Sequence, residues 1–322
     1  MLKLREIYRL SVEAGVEADQ RPKEEIERRL GVERDKYDKL RDKERERFDT
    51  ERLSNPFADT RVLYGDPDVE VSTVLVGIDI GAAEIMLADR LRSRGEAVDL
   101  VIAHHPLGRA LAGLADVMSL QTDLLAQHGS PIGQLESVFA GRIKDVAVSV
   151  TAANHNRAVD AARLLDVPLM CIHTPADNCV AQFIGTKIRE AKPLLLGDVL
   201  DLLLDIDEYS QYAAETAEPR IIVGSKENRA GEVFVDMTGG TSAPEGIYEI
   251  ISKSTDISTM VCMHVSREHK KEIEKHHLNC IVAPHMPSDT IGLNLILDSL
   301  ESRGGLNVLE CSGFRRVNRS HR

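Results

Sequence analysis

The chain has 322 residues, with 40 Lys and Arg against 52 Asp and Glu, a formal net charge of -12, 43% apolar residues and only 4% aromatic ones. That length allows a sizeable core built from Ala, Val, Ile and Leu, and the acidity leaves no electrostatic basis for non-specific binding to DNA or RNA outside local patches, so no direct nucleic-acid partner is expected. The N-terminus mixes charges into its apolar residues, and no run approaches the roughly 18 apolar residues of a bilayer span. A cytoplasmic location without a membrane partner is therefore expected.

The first sixty residues read as a charged helical arm. Lys23 to Arg52 holds 11 basic and 11 acidic residues, and Ile26, Leu30, Tyr37, Leu40 and Phe48 give it only a thin apolar stripe. Such a segment cannot form its own core, and it reads either as an arm that lies on the body or on a neighbouring subunit or as a solvated charged helix. From Val69 the texture changes. VSTVLVGID (71–79) is a continuous β-branched strand, a helix runs from Gly81 to about Arg94, and VDLVIA (98–103) is a second strand, which together predict a βαβ unit with a parallel, covered sheet. Helical stretches at 108–129 and 131–165 precede the strand VPLMCI (167–172), a helix after Asp177, and a further helix near 196–204. The acidic stretch DIDEYSQYAAETAE reads as a link. Beyond it come strands at 220–225, 231–240, 258–265, 279–284 and 306–311, with helices near 244–252, 266–276 and from about Asp289 to Ser302. This predicts an α/β fold with two similar halves, 61–207 with a helical insertion and 208–322, after an arm at 1–60. The terminal RRVNRSHR reads as a frayed basic tail. Five cysteines without C-x-x-C spacing read as small buried residues in a reducing compartment.

Three strands end on metal-competent side chains. VDLVIAHHPLG supplies His104 and His105, VPLMCIHTPADN supplies His173 and Asp177, and NCIVAPHMPSDTIG supplies His285 and Asp289. The carboxyl ends of parallel strands share one sheet edge, which is where ligands bind in open α/β folds. Adjacent residues on an extended strand point to opposite faces, so the His104–His105 pair can act together only where the chain turns, and Pro106 supplies a turn. A His and an Asp four residues apart face the same way if the loop runs into a helix. Imidazole and carboxylate without thiolate suit Zn, Mn, Fe or Co.

These motifs resemble the Ngg-interacting factor three family, often labelled GTP cyclohydrolase type 2. The resemblance rests on His104-His105-Pro106, on His173-Thr174-Pro175-Ala176-Asp177, on the glycine run Thr238-Gly239-Gly240-Thr241-Ser242, and on His285-Met286-Pro287-Ser288-Asp289, and it covers roughly residues 69–311 with gaps. It implies a dinuclear metal cleft between the two α/β halves with His104, His105, Asp177, His285 and Asp289 as ligands, and His173 as a neighbouring partner or extra ligand. It also implies a homo-oligomer, a ring-like hexamer in many members; the N-terminal arm is extra to the family, and its place at a subunit interface is a separate expectation from its own thin apolar stripe. Asp289 stands where the family has Glu, Pro284 where it usually has Gly, and the stretch between the first two motifs is long.

Two divalent ions bring a charge of +4 against the -2 of Asp177 and Asp289, so such a site stays electropositive and attracts a small anionic substrate. Metal-activated hydroxide makes hydrolysis the natural reaction. The expectation is a metal-dependent hydrolase acting on a nucleotide-like or phosphorylated small molecule, and the alternative is a non-catalytic metal-binding scaffold or regulator. Gly239, Gly240 and Thr241 form either an anion-binding loop or a plain tight turn. Asp79, Glu84 and Asp236 are candidates to orient ligands or act as a general acid, whereas His128, His155, His264, His269, His276 and His277 read as surface or packing residues.

Overall fold

The structure, a computed structural model, describes residues 1–319. The chain opens with β1 (Leu2–Lys3), α1 (Leu4–Glu17), α2 (Lys23–Asp38), the single turn α3 (Asp42–Arg45) and a 3-10 turn at Thr50–Leu53. Strands β2 (Arg61–Tyr64), β3 (Glu70–Val71) and β4 (Thr73–Gly77) lead to α4 (Ala82–Ser93) and β5 (Leu100–Ala103). Next come α5 (Gly108–Ala112), α6 (Ser119–Gln127), α7 (Ile132–Thr151), α8 (Arg157–Leu165), β6 (Leu169–Cys171), α9 (Thr174–Ala191), α10 (Leu196–Leu204) and α11 (Asp207–Ala213). The remainder is β7 (Arg220–Val223), β8 (Glu232–Asp236), α12 (Ile247–Ser254), β9 (Ile257–Cys262), α13 (Arg267–Lys275), β10 (Asn279–Val282), α14 (His285–Gly304) and β11 (Asn307–Cys311).

Two parallel-rich sheets organise these elements. The first has the order β11-β4-β5-β6-β2, with β2 antiparallel at one edge; the second has the order β7-β10-β9-β8, with β7 antiparallel at one edge. β4 and β5 are buried at every position, as expected of strands covered on both faces. One face of the first sheet packs on α4 and α8 through Ile85, Ala88, Ala158 and Ala162. Its other face meets α9, α14 and α1 through Val74, Ile102, Ala176 and Leu297. The opposite side of α9 and α14 covers the second sheet, where Ile184 and Ile291 join Val261 and Ile281. The α9/α14 pair is therefore a shared central layer. Its two helices touch backbone to backbone, since a Cβ at Gly292 would lie 2.2 Å from the Ala176 carbonyl oxygen.

The outer face of the second sheet is covered by α6, α7, α12 and α13, with Leu124, Leu135 and Phe139 against Phe234, Tyr248 and Met260. The helices inserted before β6 thus cover the sheet built from the later part of the chain. In the other direction, β11 pairs with β4 in the first sheet. The sequence break near residue 207 does not follow the packing, because hydrophobic faces are closed by elements from the other side of it.

The first sixty residues are helical, but they are more than an arm. Leu4 and Ile7 of α1 are fully buried in the core that includes α9 and α14. Of the expected apolar stripe only Ile26 and Leu30 are buried; Tyr37 and Phe48 pair their rings at 5.1 Å near the surface. The acidic stretch expected to be a link contains α11, whose Tyr209 is fully buried. Residues 315–319 are docked rather than frayed: Arg316 reaches Asp298 at 2.5 Å and Glu301 at 3.0 Å, Val317 is buried, and Arg319 pairs with the buried Glu208. These carboxylates on α11 and α14 need cations, and the basic tail supplies them. Its last residues, 320–322, lie outside the described residues. The five cysteines are free, four of them buried.

Candidate metal centre

All six strand-end candidates converge between the sheets. His104 and His105 follow β5, where the chain bends while their amides still donate to the carbonyls of Gly77 and Ile78. α9 begins at Thr174 and α14 at His285, so both helices start earlier than the sequence reading placed them; Asp177 lies in the first turn of α9 and Asp289 just beyond the first turn of α14. Proline after each histidine suits a helix start, having no amide to satisfy. The same five-residue pattern, His-x-Pro-x-Asp, therefore opens both central helices. The sequence reading paired the two segments by their four-residue His–Asp spacing but not by the proline they share. Each pattern places its His and Asp one helical turn apart, with Nε2 to Oδ2 distances of 3.9 Å for His173 and Asp177 and 3.4 Å for His285 and Asp289.

The imidazoles are oriented by their outer nitrogens. Nδ1 of His104 lies 3.1 Å from the Ile172 carbonyl, Nδ1 of His105 lies 2.6 Å from Asp79, and Nδ1 of His173 lies 2.7 Å from Asp59. A carbonyl or carboxylate accepts from Nδ1–H, which assigns the tautomer and leaves the Nε2 lone pair facing inward. Three ligand sets result, in each of which the candidate atoms lie within 4.8 Å of one another: His104, His105 and His173; His105, His285 and Asp289; His104, Asp177 and Asp289. Asp289 joins two of these sets. Its Oδ1 is 3.5 Å from His104, and its Oδ2 is 3.6 Å from His105 and 3.4 Å from His285. The shorter side chain thus still faces both sides, because the helix starts at His285 and carries Asp289 inward.

The donor set fits a divalent cation. His104 Nε2 and both oxygens of Asp289 are buried without a hydrogen-bond partner, and the ion-pair partners of Asp177 and Asp289 are all imidazoles. Buried polar atoms are normally satisfied, so this cluster of orphans points to a group that accepts lone pairs. With no cation present a proton takes that place. Burial acts to lower the His104 imidazole, yet Asp289 and Asp177 outweigh it and push it up to about 10. Burial likewise acts to raise Asp289, but His104 and the neighbouring imidazoles hold it below the usual carboxylate range. A cation would displace these protons.

Asp59 is the positioning residue the sequence reading missed. It is fully buried just before β2 and accepts from both His173 and the Thr174 hydroxyl, at 2.6 Å for the latter. No spacing in the sequence ties it to residues more than a hundred positions away. Asp79 orients His105, whereas Glu84 accepts from the Gly81 amide at the start of α4 and takes no part in the centre. His264 and His269 both line the cleft, His264 from an exposed position with its ring 5.3 Å from that of His285 and His269 half-buried. Elsewhere, the His128 ring packs on Phe234, His155 contacts the Val150 carbonyl, and His276 faces Glu272.

A small, partly open cleft lies beside His173, Asp177 and His285. The glycine loop forms part of its wall. Gly239 and Gly240 both have positive φ, and Gln121 of α6 donates to the carbonyls of Gly239 and Thr241 at 3.0 and 2.6 Å. The glycines are required here by the left-handed backbone and by the close approach of Gln121 and Val117.

Two parallel-rich α/β sheets around a shared helix pair, with a buried His/Asp cluster able to hold metal ions at their common edge, define the class of protein. No protein-family model matches the chain, and no curated protein matches it. Among solved structures it is similar to a NIF3 superfamily protein from Sphaerobacter thermophilus, with 28% identity, 80% of this chain and 91% of that chain covered, and a TM-score of 0.71. It is more distantly similar to reduced HcgD from Methanocaldococcus jannaschii (14% identity, 79% and 93% covered, TM-score 0.49) and to a Bacillus cereus protein related to NIF3 (10% identity, 78% and 89% covered, TM-score 0.36). The likeness to the Sphaerobacter protein supports the NIF3 superfamily, the family its strand-end motifs resemble.

Proposed function

We propose that the protein holds two divalent ions and acts as a metal-dependent hydrolase on a phosphorylated or nucleotide-like small molecule. The observation that carries this reading is Asp289, fully buried, with two unpartnered oxygens each facing a different set of imidazoles. In this reading Oδ1 would be shared with His104 and Asp177, and Oδ2 with His105 and His285. When bound, a pair of ions would supply Lewis acidity and concentrated positive charge for an anionic substrate and its hydrolysis. The chain's own residues supply position: the Ile172 carbonyl, Asp79 and Asp59 fix the three imidazoles so that little reorganisation accompanies loading. The cleft supplies a partly desolvated space beside the centre, and an anion contact from the Gly239–Thr241 loop belongs to the same proposal.

Dialysis against Mn²⁺ or Zn²⁺ followed by elemental analysis tests the first half. About two ions per chain are expected for the wild type and fewer than about one for Asp289→Ala. Equal loading of both would remove the basis of the reading. A phosphoester and nucleotide hydrolysis screen with the loaded protein tests the second half; full loading without turnover on any substrate would favour a non-catalytic metal-binding scaffold.

A further inference from the structure

The loop between β8 and α12 is shaped by side chains of the inserted helices more than by its own hydrogen bonds. Its carbonyls turn toward the insertion: Nε2 of Gln121, on α6, donates to Gly239 and Thr241 at 3.0 and 2.6 Å, and Nε of Arg142, on α7, donates to Ser242 at 3.2 Å. No peptide bond of the described chain is cis, and a trans unit points its N–H opposite to its C=O. The amides of Gly240 and Ser242 therefore point away from Gln121. Neither donates to a described residue, while the Thr241 amide between them is spent on the Gly239 carbonyl at 3.1 Å. Gly240 and Ser242 are half-buried and line the cleft beside His173, Asp177 and His285.

The cleft lining has no lysine or arginine and two carboxylates, Asp177 and Asp236. An anion is held there only if metal ions and oriented amides offset those charges. Arg142 forms no ion pair with a described residue, so its charge reinforces the loop amides from behind. Gln121 is 5% exposed, and its Oε1 is buried without a partner and sealed from the cleft. An apolar side chain of the same shape would avoid that stranded oxygen and would leave two loop carbonyls without their donor. We propose that Gln121 and Arg142 are positioning residues that hold the glycine loop as a cradle, in which the Gly240 and Ser242 amides receive oxygens of a phosphoryl group lying over the His/Asp centre. This deepens the hydrolase reading by assigning the part of the substrate that the loop takes, and it rests on that reading for the contact between the phosphoryl group and the ions. Gln121 and Arg142 act through the loop and do not touch the substrate. The helices inserted before β6 thereby shape the centre as well as covering the second sheet.

The test uses the full chain dialysed against Zn²⁺, with inorganic phosphate as the probe. In two-dimensional amide spectra of the wild type, the Gly240 and Ser242 proton resonances should move downfield as phosphate is added, while that of Thr241 stays in place. Calorimetric titration should show Gln121→Met, which keeps the shape of the side chain and removes the donor, binding phosphate about tenfold more weakly at equal zinc content, the scale of one hydrogen bond to a charged group. Arg142→Met should weaken binding by a similar factor. Both variants should also lose the two amide shifts, which a role confined to stability would leave intact. Gly240 and Ser242 resonances that do not respond in the wild type overturn the proposal without any variant having to fold. Phosphate affinity within about twofold of the wild type in Gln121→Met or in Arg142→Met overturns it as well. If the amide shifts appear and no phosphoester is turned over, the hydrolase reading falls and the cradle stands; turnover with unmoved amides leaves the hydrolysis and removes the cradle.

Discussion

At the scale of single residues, the centre depends on which nitrogen of each histidine is free. The three Nδ1 contacts, from His104, His105 and His173, turn three mobile rings into three inward-facing Nε2 donors. Asp59 is the most demanding of these partners because it is fully buried and its Oδ1 has no hydrogen bond. Burial acts to raise its carboxyl, and His173 outweighs that and holds it low. Asp59→Ala should leave His173 free to rotate and weaken divalent metal binding by about 10- to 100-fold, the usual cost of losing an outer partner of a metal-binding histidine. Competition against a chelator of known affinity measures this, and unchanged affinity would mean that His173 orientation does not matter. The histidines and aspartates of the centre were legible because they recur after strands. Asp59 was not, because a hydrogen bond across 114 positions leaves no local pattern.

At the scale of elements, α9 and α14 decide the geometry. Each opens with His-x-Pro-x-Asp, and each aligns its His and Asp by helical spacing. The N-terminal end of α9 also favours the Asp177 carboxylate electrostatically. The separation of the two patterns depends on how closely the helices pack, and Gly292 permits that approach. Gly292→Ala places a Cβ against a backbone oxygen, which cannot yield as a side chain would. We expect a loss of about 1–3 kcal/mol in urea denaturation from overpacking, together with reduced metal loading, since Asp289 lies less than one turn away. A variant as stable as the wild type would show that the helices can separate freely. The helix limits were misread by a few residues because sequence marks the proline and the acidic residue but not which residue adopts the first helical turn.

At the scale of the whole molecule, the two sheets are closed by elements exchanged across the sequence. α6 and α7 cover the second sheet although they precede β6, and β11 returns to the first sheet after the second is complete. The central helices are shared by both cores. A fragment of residues 1–217 would expose the faces of α6 and α7 and leave β4 without β11. It should lack a cooperative urea transition, whereas the full chain should show one. A fragment that unfolds cooperatively would show that the first part of the chain carries its own core.

The sequence by itself determined the central strands of both sheets, their continuous apolar burial, the candidate ligand types and the sheet edge on which they lie, because each follows from side-chain chemistry read over a few residues; the edge strand β2 and the short β1, which carry no such apolar run, were not legible. It also carried the family resemblance. The tertiary structure decided which acceptors fix the imidazoles, that Asp289 faces two ligand sets, and that α1 and residues 315–319 are packed in place. Those facts depend on contacts between residues far apart in the chain. They are set by how buried faces find cover, which no local pattern encodes.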